Sequence, residues 1–402
     1  MGKPRHKSSR QNSAAVSALQ PLRLPRILAP TERESEEKPT PLPPQQRVGY
    51  AVVGLGRLAL EEVLPALRSS MHSRPVALIS GDPRKAARVA EAYGIEPRRI
   101  YGYEDMDRIR DDEAIEAVYV ATPNALHLQH TVRAARAGKH VLCEKPMANS
   151  VAECDQMIAA CAEARRLLMI AYRMQYEPHN RALIDLFRSE ALGPGKLIEA
   201  VNTQTQGDPR QWRLRWALAG GGALPDIGIY CLNAARYITG EEPIEISGTA
   251  YSTPRDPRFR EVEETVSFTL RFPSGVIAVG TSSYAGHESR RLRVMGEAGW
   301  ADLDPAFSYR GLRMRVARKQ EGTAIEDVAE QRLGEQNQFA LEIDHFSRCI
   351  REGRRPHTPG EEGRQDVRII EAIYTAAREG KTVRLPQVSG LDAFRGPPPE
   401  ID

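Results

Sequence analysis

The 402-residue sequence predicts an α/β protein in two parts, a doubly wound parallel sheet followed by an α+β unit on an open, mostly antiparallel sheet. Three observations predict it. Apolar, strand-like runs alternate with helical periodicity from Val48 to Ala171, the pattern of a parallel sheet covered on both faces. A glycine turn, Gly54-Leu55-Gly56, stands between the first such run and the first helix. Beyond Tyr172 the apolar period becomes two, as in Val266, Phe268, Leu270 and Phe272.

Composition bounds the class. At 41% hydrophobic residues the chain can bury a large core, and its length suits two domains and an appendage. No run of ~18 apolar residues offers a membrane span, and the first residues lack the apolar stretch of a secretory signal, so the expected location is the cytoplasm. The five cysteines (Cys143, Cys154, Cys161, Cys231, Cys349) are odd in number and lack metal-ligand spacing. They read as core thiols, and no metal is expected.

Residues 1–47 read as a flexible or extended arm, rich in Pro and Ser and ending in Pro41-Leu42-Pro43-Pro44. It carries the bases Lys3, Arg5, Lys7, Arg10, Arg23 and Arg26, but no aromatic residue interleaves them, which argues against a nucleic-acid tail. Residues 48–171 form the first domain, 172–386 the second, and 387–402 a tail.

Val48 to Val53 reads as a buried strand, and Gly54-Leu55-Gly56-Arg57-Leu58-Ala59 leads from it into a helix through Leu60, Val63, Leu64 and Leu67. Gly54 permits the tight turn, Gly56 removes a side chain where a diphosphate approaches the backbone, and Ala59 lets helix pack on strand. Free amides at the helix start, along Gly54 to Leu58, favour the anion. This is the turn of a Rossmann dinucleotide-binding domain.

The second strand, Val76 to Ile79, ends at Ser80, 26 residues after Gly54, where an NAD-binding fold usually carries an acid. A serine followed by Gly81, Arg84 and Lys85 suits a 2′-phosphate, so the expected cofactor is NADP rather than NAD. Asp82 is the counter-argument if it turns inward, and a helix N-cap if it does not.

A helix through Tyr93, a strand from Ile115 to Ala121, a helix from Leu126 to Ala137 and the strand His140-Val141-Leu142-Cys143 continue the alternation. Thr122-Pro123-Asn124 and Glu144-Lys145-Pro146 end consecutive strands and face one cleft. His127 lies near the nicotinamide or serves as a capping or core histidine. A helix from Val151 to Ala164 and a strand from Leu167 to Ala171 close the sheet, and Tyr172 to Pro178 leaves towards the same cleft.

In the second domain, strands are expected near Ile198–Thr203, Ile244–Tyr251, Val266–Phe272, Val276–Gly280, Arg291–Met295 and Leu312–Val316. Before most of them comes Gln211-Trp212-Arg213, then Gly220-Gly221-Gly222, a loop able to lie against a ligand, and a helix start that Asp226 can cap. Asp226 and Tyr230 are four apart and share one helix face. A tyrosine beside the Lys145 ammonium can take and return a proton in carbonyl–alcohol interconversion.

At these residues the chain resembles the Gfo/Idh/MocA oxidoreductase family, and within it the glucose-fructose oxidoreductase branch. The likeness rests on Gly54-Leu55-Gly56, Glu144-Lys145-Pro146 and Asp226-Ile227-Gly228-Ile229-Tyr230. Longer runs extend it, among them Trp212-Arg213-Leu214-Arg215, Gly240-Glu241-Glu242-Pro243 and Pro359-Gly360-Glu361-Glu362-Gly363. The resemblance implies that Lys145 positions the reacting hydroxyl, Tyr230 is the acid/base and Asp226 holds both. It implies a sugar pocket lined by Arg173, Tyr176 and Tyr309, a cofactor held also by Ser80, Lys85, Trp212 and Arg213, and a cis Lys145–Pro146 bond. It implies a homodimer or homotetramer, and an arm at Pro41–Pro44 that helps retain the cofactor. The expected reaction is hydride transfer between NADP(H) and C1 of a cyclic aldose, giving a lactone. A dissociating sugar or dihydrodiol dehydrogenase and a nucleotide-sensing regulatory protein are the alternatives.

Overall fold

The computed structural model describes residues 40–320 and 322–400. The bases of the arm, Lys3 to Arg26, lie outside the described residues.

In chain order the first part runs β1 (Val48–Val53), α1 (Leu64–Ser69, entered through a wide helical turn at Ala59–Val63), β2 (Ser73–Ile79), α2 (Pro83–Tyr93), β3 (Ile100–Tyr101), β4 (Ala117–Val120), α3 (His127–Arg136), β5 (His140–Glu144), α4 (Val151–Glu163) and β6 (Leu168–Ala171). The strands form one parallel sheet in the order β3-β2-β1-β4-β5-β6. Every residue of β1 and β4 is buried, as strands covered on both faces must be. The order reverses between β1 and β4, and the crevice at the carboxyl ends of those two strands is where such sheets receive ligands.

The second part contains α5 (Pro178–Arg188), β7 (Gly195–Thr203), α6 (Trp216–Ala219), α7 (Ile229–Thr239), β8 (Glu245–Tyr251), β9 (Thr265–Arg271), β10 (Ile277–Ser283), β11 (Ser289–Gly296), β12 (Gly299–Leu303), β13 (Met314–Lys319), β14 (Glu326–Gln331), α8 (Gln338–Glu352), α9 (Gly360–Glu379) and β15 (Val383–Arg384). Its nine strands lie in the order β14-β13-β12-β11-β7-β10-β9-β8-β15, antiparallel except for β7 beside β10. Val266, Phe268 and Leu270 point inward under α7 and α9, whereas Tyr251, Ile277 and Val279 stand exposed on the outer face.

The helices α8 and α9 had no counterpart among the expected elements, and they return to the first sheet. Phe339, Ile343 and Phe346 of α8 join Tyr50, Leu64 and Leu67 in one core cluster. Asp344 accepts hydrogen bonds from Ser70 Oγ, from Met71 N–H and from His72 N–H (2.9 Å each for the two amides), closing the loop into β2. The last residues are docked as well, with the Arg395 guanidinium buried against Glu362.

The Pro41–Pro44 segment does not reach the cofactor crevice. Leu42 N–H donates to Met71 O (3.0 Å), beside the start of β2, at the sheet end opposite the glycine turn. All five cysteines are buried and free.

Candidate functional site

The glycine turn has the shape a diphosphate needs. Gly54 adopts φ 89°, and a Cβ there would meet Ala121 O at 2.8 Å and Thr122 Cγ2 at 2.9 Å. Among the described residues nothing lies within 4 Å of the place a Cβ would take on Gly56, which leaves space beside that backbone. Leu55 is buried and Leu58 half-buried, while Gly56 and Arg57 are exposed. Thr122 Oγ1, buried against this turn, has no hydrogen-bond partner among the described residues, an orphan that a bound dinucleotide can satisfy. These features fit NADP.

Ser80 follows β2, its Oγ accepting from Asp82 N–H (3.2 Å). Asp82 turns to α2 and caps it, accepting from Lys85 N–H at 3.0 Å. Its carboxylate is therefore spent on the helix, and the exposed residues beside it are Gly81 and Arg84, with Lys85 half-buried.

Across the crevice, β5 delivers Lys145 to Asp226. Lys145 Nζ donates to Asp226 O (2.7 Å), stands 3.5 Å from Oδ1, and lies 4.8 Å from the centre of the Tyr230 ring. The Lys145–Pro146 bond is cis. Asp226 Oδ2 accepts from Arg213 Nε (3.1 Å) and from Tyr284 Oη (2.7 Å). Arg173, buried after β6, lies 5.0 Å from the Tyr230 ring and 4.5 Å from the Tyr309 ring. Its guanidinium donates to Phe307 O (2.9 Å) and to Gln338 Oε1. Next to Tyr309, Arg310 donates to Glu62, in the wide turn that follows the glycines (3.2 and 2.9 Å), which ties this loop to the dinucleotide half.

The charge states follow from these contacts. Burial works to raise the Asp226 pKa, but Arg213, Lys145 and the Tyr284 hydrogen bond outweigh it, and the group is held below its usual range. Burial works to lower that of Lys145, but Tyr230, Asp226, Glu144 and Tyr309 carry it above the usual value. Asp226 is thus a carboxylate and Lys145 an ammonium across the neutral range. Burial pushes the Tyr309 hydroxyl up to about 12.

Several expected site residues lie elsewhere. The Tyr176 ring is buried between His345 and His357, and its hydroxyl bonds to Thr358 Oγ1 (2.9 Å), so it belongs to the core and not to a sugar pocket. His127 is fully buried, its two ring nitrogens set against Thr122 O (2.9 Å) and Pro146 O (3.0 Å), and it braces the two strand-end loops. Asn124 Nδ2 donates to Ala219 O (2.8 Å), a strut between the two parts of the protein, while Pro123 precedes it in the loop. Arg213 stacks on Trp212 at 4.6 Å and turns its charge to Asp226, the nearest carboxylate, rather than towards Ser80. Glu144 is buried and accepts from Tyr119 Oη (2.8 Å). The glycines at 220–222 serve packing: added Cβ atoms would meet Asn149, Tyr374 and Glu263 at 2.5, 2.0 and 2.1 Å.

Asp226 does not cap its helix. It lies in the wide turn Leu224–Gly228, and Glu263 supplies the cap by accepting from Gly222 N–H (2.8 Å) and Leu224 N–H (2.9 Å). Pro225 sits in the first turn, where a missing N–H costs nothing. Glu263, Tyr284 and Gln338 had not been singled out. All three come from distant stretches; the strand expected over Val276–Gly280 runs on to Ser283 in the structure and places Tyr284 just beyond its end.

Tyr309 also borders a separate cavity of about 280 Å³, lined further by His179, Arg310, Arg313 and Arg332, which Lys145, Asp226 and Tyr230 do not touch.

Residues 48–172 match the oxidoreductase family model with an NAD-binding Rossmann fold, GFO_IDH_MocA, and residues 180–302 match the GFO/IDH/MocA C-terminal domain. The chain is similar to the NADP(+) D-xylose 1-dehydrogenase of Haloarcula marismortui, 35% identical over 84% of this chain and 93% of that one. It is 31% identical to rabbit (Oryctolagus cuniculus) trans-1,2-dihydrobenzene-1,2-diol dehydrogenase over 81% of this chain and 97% of that one. Among solved structures it resembles the aldose-aldose oxidoreductase from Caulobacter crescentus complexed with glycerol, with 50% identity, a TM-score of 0.81, and coverage of 84% of this chain and all of that one. With both domain models matched and relatives alike along nearly their whole length, the chain belongs to the Gfo/Idh/MocA oxidoreductase family.

Proposed function

We propose that the protein is an NADP-dependent sugar oxidoreductase, transferring hydride between the nicotinamide and C1 of a cyclic aldose to give a lactone. One observation carries the assignment of roles. Of the three groups gathered at the crevice, Asp226 is held as an acceptor-only carboxylate and Lys145 as an ammonium, which leaves the Tyr230 hydroxyl to move the proton. Lys145 orients the C1 hydroxyl with the donors that Asp226 leaves over, and Asp226 fixes Lys145. Arg173 and Tyr309 wall the sugar, while Gly54 to Leu58, Thr122 and Ser80 with Arg84 and Lys85 hold NADP, which accepts or returns the hydride when bound. The likeness to a D-xylose dehydrogenase and to an aldose-aldose oxidoreductase favours an aldose as substrate.

Nicotinamide fluorescence of the purified protein, followed on adding an aldose and then a second sugar, tests this reading. A rise on the first addition and a fall on the second identify retained cofactor. A response only after free NADP is supplied identifies a dissociating dehydrogenase, which the position of Pro41–Pro44 away from the crevice favours. Silence across D-xylose, D-glucose and other aldoses with both NADP and NAD sinks the proposal.

The same proposal places the protein in the cytoplasm as a homodimer or homotetramer. Five free buried thiols suit a reducing compartment. The exposed Tyr251, Ile277 and Val279, set among Ser and Thr side chains on the outer sheet face, are the apolar contacts that a second copy would cover. A monomer in sedimentation at micromolar concentration refutes the assembly.

A further inference from the structure

Beneath Lys145 lies a buried acid that the proposed reaction does not use. Glu342 of α8 is fully buried, and its Oε2 has no hydrogen-bond partner among the described residues. Its Oε1 stands 3.4 Å from Tyr119 Oη on β4, and the same hydroxyl lies 2.8 Å from Glu144 Oε1. Glu144 Oε2 in turn accepts from Lys145 N–H (3.2 Å). Two carboxyl groups thus flank one phenol that has a single proton to give.

The arithmetic of donors decides the arrangement. Tyr119 donates at the shorter contact, to Glu144, and its oxygen keeps a lone pair facing Glu342. A carboxylate at Glu342 would meet that lone pair and the Glu144 charge together, in a fully buried site. A protonated Glu342 turns the same contact into a hydrogen bond. The charged and titratable groups around it are Glu144, Arg173, Tyr119 and Tyr176. Burial, with the Glu144 charge added, pushes the Glu342 pKa well up, against the pull of Arg173; burial raises that of Glu144 too, but there Lys145, the Tyr119 hydrogen bond and Arg173 all oppose it.

We infer that Glu342 is a neutral, proton-donating positioning residue: its carboxyl O–H donates to Tyr119 Oη, Tyr119 donates to Glu144, and the carboxylate charge is thereby held on Glu144 against the backbone of Lys145. The chain runs from α8 to the reacting end of β5, and it ties the setting of Lys145 to a helix at the far end of the sequence. It has no outlet, because Glu342 Oε2 is sealed in the core, so it fixes geometry and charge without conducting protons to solvent. Its catalytic consequence rests on the proposed role of Lys145, but the protonation of Glu342 does not.

Infrared difference spectroscopy of wild type minus Glu342→Gln at neutral pH tests the protonation directly. The expected result is a carboxylic-acid carbonyl band that persists in the Tyr230→Phe background and shifts in Tyr119→Phe. A carboxylate band in its place overturns the inference whatever the enzyme's activity. For the kinetic part, Glu342→Gln keeps an N–H donor towards Tyr119 and retains kcat within about twofold, whereas Glu342→Leu loses about tenfold in kcat with an unchanged KM for NADP. Equal loss in the Gln and Leu variants, or no loss in Leu while Tyr230→Phe is inactive, refutes positioning. If Tyr230→Phe is fully active, it is the catalytic reading that fails, and the infrared band still decides the state of Glu342.

Discussion

Asp226 and Arg236 stand on the same helical run, Leu224 to Thr239, each at the centre of a cluster of opposite charges, and the two clusters are finished differently. Around Arg236 every direction is filled by protein. Its guanidinium donates to both Glu242 oxygens (2.8 Å each), to Glu362 Oε2 (2.7 Å) and to Asp366; Arg395 and Asn233 take up the remaining carboxylate oxygens, and Gln365 adds a second donor to Glu242 Oε2. Around Asp226 the side chains stay partly open, 12% for Lys145, 17% for Asp226 and 34% for Arg213, and Tyr230 beside them is half-buried. A cluster with no vacancy is mortar, and one with spare donors facing a crevice is equipped for a substrate.

That contrast can be broken by four measurements. Tyr230→Phe is expected to lower turnover roughly 10²- to 10⁴-fold, the worth of a positioned acid/base, and to leave the melting temperature nearly unchanged. Unchanged turnover would put the Asp226 cluster in the same structural class as the other. Arg236→Ala should cost about 3–5 kcal/mol of stability in denaturant titration, because three buried carboxyl groups lose their common cation. A loss under 1 kcal/mol would mean that water or a neutral acid already relieves the site.

A pH titration of stability separates the clusters more finely. Burial alone would raise the Glu362 pKa, but Arg236 and Arg395 pull it down to about 2. The unfolded carboxyl binds its proton near 4.3, so the contribution is complete above that value and is lost as pH falls towards 2. Glu362→Gln should flatten this slope, and an unaltered acid limb would contradict the assignment. The smallest effect is expected at the cofactor end. Ser80→Asp places a carboxylate where a 2′-phosphate would lie, and should weaken NADP roughly 10-fold relative to NAD in KM ratios. No change would show that the adenosine phosphate is held elsewhere, for example by Arg57.

The crevice was legible in the sequence because its parts are local. A glycine turn between strand and helix, a strand ending in Glu-Lys-Pro and an Asp four residues before a Tyr each declare themselves within a few positions. What escaped was set by tertiary contacts. The acid that caps the Asp226 helix is Glu263, from a loop 41 residues from Gly222, and the hydroxyl that holds Asp226 is that of Tyr284, 58 residues on. Tyr176 looked like a cleft residue because it follows β6, yet α8 and the segment after it supply His345 and His357 to enclose it. The glycines at 220–222 are set by Asn149, Tyr374 and Glu263 rather than by a ligand.

The return of α8 also bears on the order in which the protein is made. The dinucleotide half is the first to be synthesised, but its core lacks Phe339, Ile343 and Phe346, and the entrance to β2 lacks the Asp344 carboxylate, until more than 340 residues have been joined. The nascent half must therefore wait, with an apolar flank uncovered, for α8. A fragment stopped at residue 171 keeps the six strands and loses the cover on one side of them, so the cofactor half becomes complete only when α8 arrives.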